Sequence, residues 1–120
     1  MARYVDGFVL PIRRKNLKAY GNLARLASKV WKSHGALEYR ECIGDDLQLG
    51  WGIPFPRLAK AKANETVIFS WIVYKSRAHR DSVNAKVMKD PRMGKMMDPK
   101  KMPFDMKRIT AGGFKTIVDA

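Results

Sequence analysis

A chain of 120 residues with 46% hydrophobic and 29% charged residues can bury a real core, which excludes a disordered chain and points to one domain spanning 1–120. The net charge of +13 favours solubility and attraction to polyanions and is silent on fold. The lone cysteine, Cys42, excludes an internal disulfide, and no cluster of cysteines and histidines has the spacing of a zinc site, so neither a metal nor a cofactor is expected.

The longest apolar run, from Val67 to Val73, holds seven residues and includes a serine, whereas a membrane span needs about 20 apolar residues. The start, Met1-Ala-Arg-Tyr-Val-Asp, has no apolar signal-peptide core. The expectation is a cytoplasmic protein with no membrane partner.

Residues 3–13 alternate, with Tyr4, Asp6, Phe8, Leu10 and Ile12 in one phase and Val5, Gly7 and Val9 in the other; period two predicts a strand ended by Pro11 and the charges after it. Asn16 is the expected N-cap of a helix to Ser33, with an apolar stripe of Leu17, Tyr20, Ala24, Ala27 and Trp31 and Gly35 as its C-terminal stop. A second strand is predicted from Ala36 to Ile43. The connection from 44 to 65 is rich in Gly and Pro, and a short helix within 57–63 is expected. Thr66 to Tyr74 reads as a buried strand that feeds a helix capped by Ser76 and stopped by Pro91. Residues 90–106 are rich in Met, Lys and Pro and predict a helical turn and a loop, before a last strand over Lys107–Ile117.

The order β-α-β-β-α-β predicts an α+β, ferredoxin-like antiparallel sheet with both helices on one face. Apolar residues remain for the other face, where Tyr4, Phe8, Phe69 and Trp71 are expected. A second copy is the natural cover, so a homodimer through the open sheet face is predicted.

The stretches Tyr4-Val-Asp-Gly-Phe8, Gly35-Ala-Leu37, Glu41-Cys42 with Gly44-Asp45-Asp46, Val67-Ile-Phe-Ser-Trp71, Arg80-Asp81 with Asn84-Ala-Lys86, Asp90-Pro-Arg-Met93, Met102-Pro-Phe-Asp105, and Lys107-Arg108 with Gly112-Gly-Phe114 stand out. Together they resemble the YbaA-like family of uncharacterised bacterial proteins. They run in order along nearly the whole chain. The resemblance implies a dimeric α+β barrel, two ferredoxin-like subunits packed sheet against sheet. The wider superfamily includes cofactor-independent monooxygenases, but fold likeness alone supplies no reaction.

Asp6 is placed on the barrel-facing side of the first strand, where Glu41 and Arg108 could join it. Together they would form a polar pocket for a small molecule, with a carboxylate as acid or base and Arg108 holding an anion. The plainer alternative is an ion-pair network that fixes strand register. Asp45 and Asp46 offer two oxygens to a divalent cation, fewer than such an ion needs, so a turn role is favoured. Arg80 and Asn84 on the second helix, and Asp105 before the last strand, are candidate anchors for substrate or for the loops beside them. Cys42, opposite Glu41, is expected under the helices as a small hydrophobe.

Residues 13–32 hold seven Lys or Arg and no acid. A solvated helix usually interleaves acid with base, so Lys18, Arg25, Lys29 and Lys32 form a candidate surface for RNA or another polyanion. No RNA-binding signature accompanies them, which makes nucleic acid the weaker expectation. Three readings follow: a homodimeric barrel protein binding a small molecule, a cofactor-independent monooxygenase-like enzyme, and a basic polyanion-binding protein.

Overall fold

A computed structural model describes residues 2–120. The elements are β1 (Tyr4–Arg13), α1 (Leu17–Ser33), β2 (Glu38–Ile43), the short α2 (Phe55–Leu58), β3 (Glu65–Tyr74), α3 (Arg77–Lys89), the short α4 (Arg92–Met96) and β4 (Thr110–Lys115). The sheet is antiparallel in the order β2-β3-β1-β4, which is the ferredoxin-like arrangement expected. β1 continues through Pro11, which pairs with Val67. The β4 ladder reaches only to Val9, so a missing N–H at Pro11 leaves no gap on that side.

The helix ends follow from local chemistry. Ser76 accepts a hydrogen bond from the His79 N–H at 3.1 Å and so caps α3. Gly35, at φ +112°, ends α1. Its N–H donates to Lys32 O and that of Ala36 to Trp31 O, both at 3.1 Å, the paired bonds of a Schellman motif. Asn16 does not cap α1 through its side chain. Its Nδ2 donates instead to Pro103 O at 3.0 Å, pinning the C-terminal segment to the start of the helix.

Register determines the faces. β1 and β3 pair from Tyr4↔Tyr74 to Arg13↔Glu65, and paired residues in an antiparallel ladder point to the same side. Tyr74, Ile72 and Ile68 lie under the helices with Tyr4, Phe8, Leu10 and Ile12, packed on Val30, Val83 and Val87 of α1 and α3 and on Tyr20 and Ala24 of α1. The other face carries Phe69, Trp71 and Val73 from β3, Cys42 from β2 and Phe114 from β4, the last lying over the facing glycines Gly7 and Gly112. Tyr4 and Phe8 are therefore not on the open face, contrary to expectation. Cys42 is not under the helices either, but exposed beside Phe69.

The connection after β2 turns towards that open face. Phe55 of α2 packs on Phe69 with ring centroids 5.9 Å apart, and Phe69 on Trp71 at 5.5 Å. Leu49, Trp51 and Ile53 in the same connection are exposed. The chain measures 38 × 38 × 20 Å, a slab of one sheet and one helical layer.

Two ion-pair clamps hold the irregular segments. The buried Glu65 carboxylate accepts from both terminal nitrogens of Arg108, at 2.7 and 2.9 Å, and from the Lys62 N–H at 2.8 Å. Arg108 also donates to Lys60 O at 2.9 Å, so the clamp joins the approach to β4 to the start of β3. Asp90 accepts from His34 and Arg92, each at 2.7 Å, and fixes the turn between α3 and α4.

The Arg108 hydrogen bonds hold the Glu65 carboxyl down at about 2, from an ordinary 4.5. A lowered carboxyl pKa stabilises the fold above the ordinary value, and that stabilisation is lost as pH falls towards the lowered one. Asp90, held below the usual range chiefly by Arg92, acts in the same acid window. Glu65→Gln is expected to lower the free energy of unfolding at pH 7 by on the order of 2 kcal/mol. The deficit should shrink as pH falls from 4.5 to about 2. Urea denaturation of both proteins across that window checks it; a deficit independent of pH would contradict the clamp.

Candidate ligand cavity

The most built site lies between the sheet and α1, flanked by the methionine-rich segment. Small residues on α1, Ala24 and Ala27, stand over Ser70 and Ile72 of β3 and leave a cavity of about 180 Å³. Its lining draws on both halves of the core, with Leu10, Tyr20 and Ala24 from one and Ile72, Met93 and Met96 from the other. Met97, Met102 and Met106 complete a flexible thioether wall with Phe104 and Ile109. The Tyr20 ring meets Phe104 edge-on at 5.5 Å, and Asn16 holds the neighbouring Pro103 carbonyl. The wall is thus pinned to the start of α1.

One ionisable acid enters this apolar space. Glu41 on β2 pairs across the sheet with Ser70 and so points under the helices. The Tyr20 hydroxyl donates to its Oε1 at 2.7 Å and the Tyr39 hydroxyl to its Oε2 at 2.8 Å. Burial and the adjacent carboxylate push both phenols above their ordinary value of 10.0, so they remain donors throughout the neutral range. The carboxylate has one phenol on each oxygen and keeps further acceptor capacity for a group entering the cavity.

The pocket expected from Asp6, Glu41 and Arg108 does not form within the subunit. Asp6 and Glu41 do share a face of the sheet, but it is the helix-covered one, and the two have separate partners. Arg108 is bound to Glu65 (above). Asp6 is buried and receives Arg80 Nη1 at 3.2 Å. Burial raises its carboxyl above the ordinary value, while Arg80, Asn84 and Tyr74 oppose the shift. Arg80 also lies 4.9 Å over the Tyr4 ring, and its Nε lies 2.9 Å from Asp81. Asn84 Oδ1 accepts from Trp31 Nε1 at 3.1 Å and from the Tyr74 hydroxyl at 3.2 Å. Arg80 and Asn84 therefore join Asp6 in one network that fastens α3 to β1, β3 and α1. A polar phase on a strand is tolerated under a helix when the helix brings the partner.

The other candidates stand apart. Asp45 and Asp46 are exposed in the bend after β2, and among the described residues no group of three or more His, Cys, Asp or Glu side chains gathers as metal ligands do. Asp105 accepts from the Lys107 N–H at 2.9 Å and caps the turn before β4. Lys18, Arg25, Lys29 and Lys32 are exposed; Arg25 donates to Asn22 and Lys32 to Leu37 O. No helix among the described residues is long and apolar enough to cross a membrane. Sequence reasoning missed the Tyr20 and Tyr39 hydroxyls as partners of Glu41. Tyr20 was legible only as a member of the apolar stripe, and its hydroxyl had no visible partner.

Residues 3–106 match the family model described as "Protein of unknown function (DUF1428)". The chain is 43% identical over 117 residues to the uncharacterized protein YbaA of Escherichia coli strain K12, covering 98% of both chains, and equally to YbaA of Shigella flexneri. It superposes with a TM-score of 0.64 on the crystal structure of a dimeric ferredoxin-like protein from an uncultured marine organism, 11% identical, over 100% of each chain. That likeness supports the fold alone. Sequence and architecture agree: the chain belongs to the DUF1428 family, with the YbaA proteins among its relatives.

Proposed function

We propose that this protein is a cytoplasmic homodimer that binds a small molecule with an apolar body in the methionine-walled cavity of each subunit. The carrying observation is Glu41, an acid held by two tyrosine hydroxyls inside a cavity of about 180 Å³. Small-molecule sites combine an apolar lining with a few placed polar groups in this way. The polar pocket expected inside the barrel gives way to a cavity on the opposite side of the sheet. The monooxygenase-like reading loses its shared space, because Asp6, Glu41 and Arg108 have separate partners. The polyanion reading lacks an aromatic platform, since Tyr20 and Trp31 of α1 face inward.

The dimer rests on the open face. A 20 Å slab with Phe69, Phe114 and the loop residues Trp51 and Ile53 exposed leaves a large apolar surface, of the kind that marks an association site. The relative of the same fold described as dimeric is consistent with a second copy as the cover.

Two outcomes are expected. A neutral one-ring probe, benzyl alcohol, should raise the midpoint of thermal unfolding in a saturable way, as ligands of the native state do. Ala27→Phe, which fills the cavity, should abolish the rise; an undiminished rise in that variant would place binding elsewhere. Light scattering should give about twice 13.7 kDa, and Trp71→Glu should return the subunit mass. A wild-type monomer at micromolar concentration would remove the dimer and leave the cavity untouched.

A further inference from the structure

We propose that the cavity selects organic cations: a protonated amine carried on a single apolar ring or a chain of similar bulk. The inference rests on the reading of the cavity as a ligand site and adds the charge and size of what enters.

The charge follows from what surrounds Glu41. Among the described residues its only side-chain partners are the two phenols, and phenols donate hydrogen bonds without neutralising a carboxylate. No Lys, Arg or His forms a salt bridge with it among the described residues. Arg40, next in sequence and the one basic residue in the lining among the described residues, turns its guanidinium to Glu38 at 3.7 Å and to Tyr39 O at 3.2 Å. The wall segment is itself basic, but Lys95, Lys100, Lys101 and Lys107 are exposed and line none of the cavity. The acid is thus the cavity's own uncompensated charge. An ammonium donates hydrogen bonds to lone pairs that the phenols leave free, and a charge-assisted bond in such a space is stronger than a neutral one. An anion would meet like charge, with the Arg40 guanidinium engaged by Glu38 and Tyr39 O instead of offsetting it.

The rest of the lining suits the same class. Tyr20, Trp31, Tyr39 and Phe104 supply ring faces that attract a cation and ring edges that pack a hydrocarbon. The methionine thioethers adapt to an irregular apolar body. The size also suits such a body: a cavity of about 150 Å³ accommodates benzene, and this one is about 180 Å³.

The test compares three probes of one shape by calorimetric titration at pH 7: benzylamine, benzyl alcohol and benzoate. Benzylamine is expected to bind about ten- to a hundredfold more tightly than benzyl alcohol, and benzoate more weakly than either. Glu41→Gln should remove the amine preference while retaining affinity for benzyl alcohol, which reports an intact cavity. Should that variant fail to fold, the wild-type ratio alone decides. Benzyl alcohol binding as tightly as the amine, or benzoate binding best, overturns the cationic selectivity and leaves the cavity as a neutral site. Binding of none of the three overturns the cavity reading and this inference with it.

Discussion

The pairing of β1 with β3 at the centre of the sheet is the constraint on which everything else depends. Ten consecutive pairs, Tyr4↔Tyr74 to Arg13↔Glu65, fix which phase of each strand lies under the helices. A slip of one residue would send Phe69 and Trp71 into the helical layer and expose Ser70, Ile72 and Tyr74. β2 inherits its parity from β3, so Glu41 stands beside Ser70 and under α1. The cavity, the Asp6 network and the open face all follow from that one register. Both ends of the pairing are tied to helices or loops: Asp6 and Tyr4 are held by Arg80, and Glu65 by Arg108.

The two faces then take different work. On the helical side, small residues of α1 meet the small Ser70, and the C-terminal segment flanks the gap with methionines instead of a regular element. Such a wall is adaptable, because a thioether chain changes rotamer at little cost. On the other side the rings of Phe55, Phe69 and Trp71 form one continuous apolar surface. A sheet with one solvated face usually alternates apolar with polar, and β3 does not. The proposed ligand site and the proposed subunit contact are therefore on opposite sides of one sheet, linked through β2 and β3.

Much of the fold was legible in the sequence. Period two in 3–13 and 66–74, the α1 stripe, Ser76 and Gly35 located the elements to within a few residues. Parity was not legible for β1, because both of its phases carry apolar side chains and Asp6 lies in the larger one. The acid argued for a polar pocket on the barrel-facing side; the structure puts it under the helices instead, where Arg80 reaches it from 74 positions away. The same error misplaced Cys42, whose small apolar side chain fits either face. Pro11 was read as a stop because β4's short reach could not be seen. The cavity had no periodic signal at all, since it arises where a segment near residue 100 packs against a helix near residue 25. Only the methionine cluster hinted at it.

The central claim is that small molecules enter the space under α1, and the chain carries its own reporters for it. Met93, Met96, Met97, Met102 and Met106 line the cavity, whereas Met88 on α3 lies outside it. In a spectrum of 13C-labelled methionine methyl groups, titration with benzylamine should move those five resonances along one saturable curve and leave Met88 in place. Equal movement of Met88, or no movement of the five, would contradict the account.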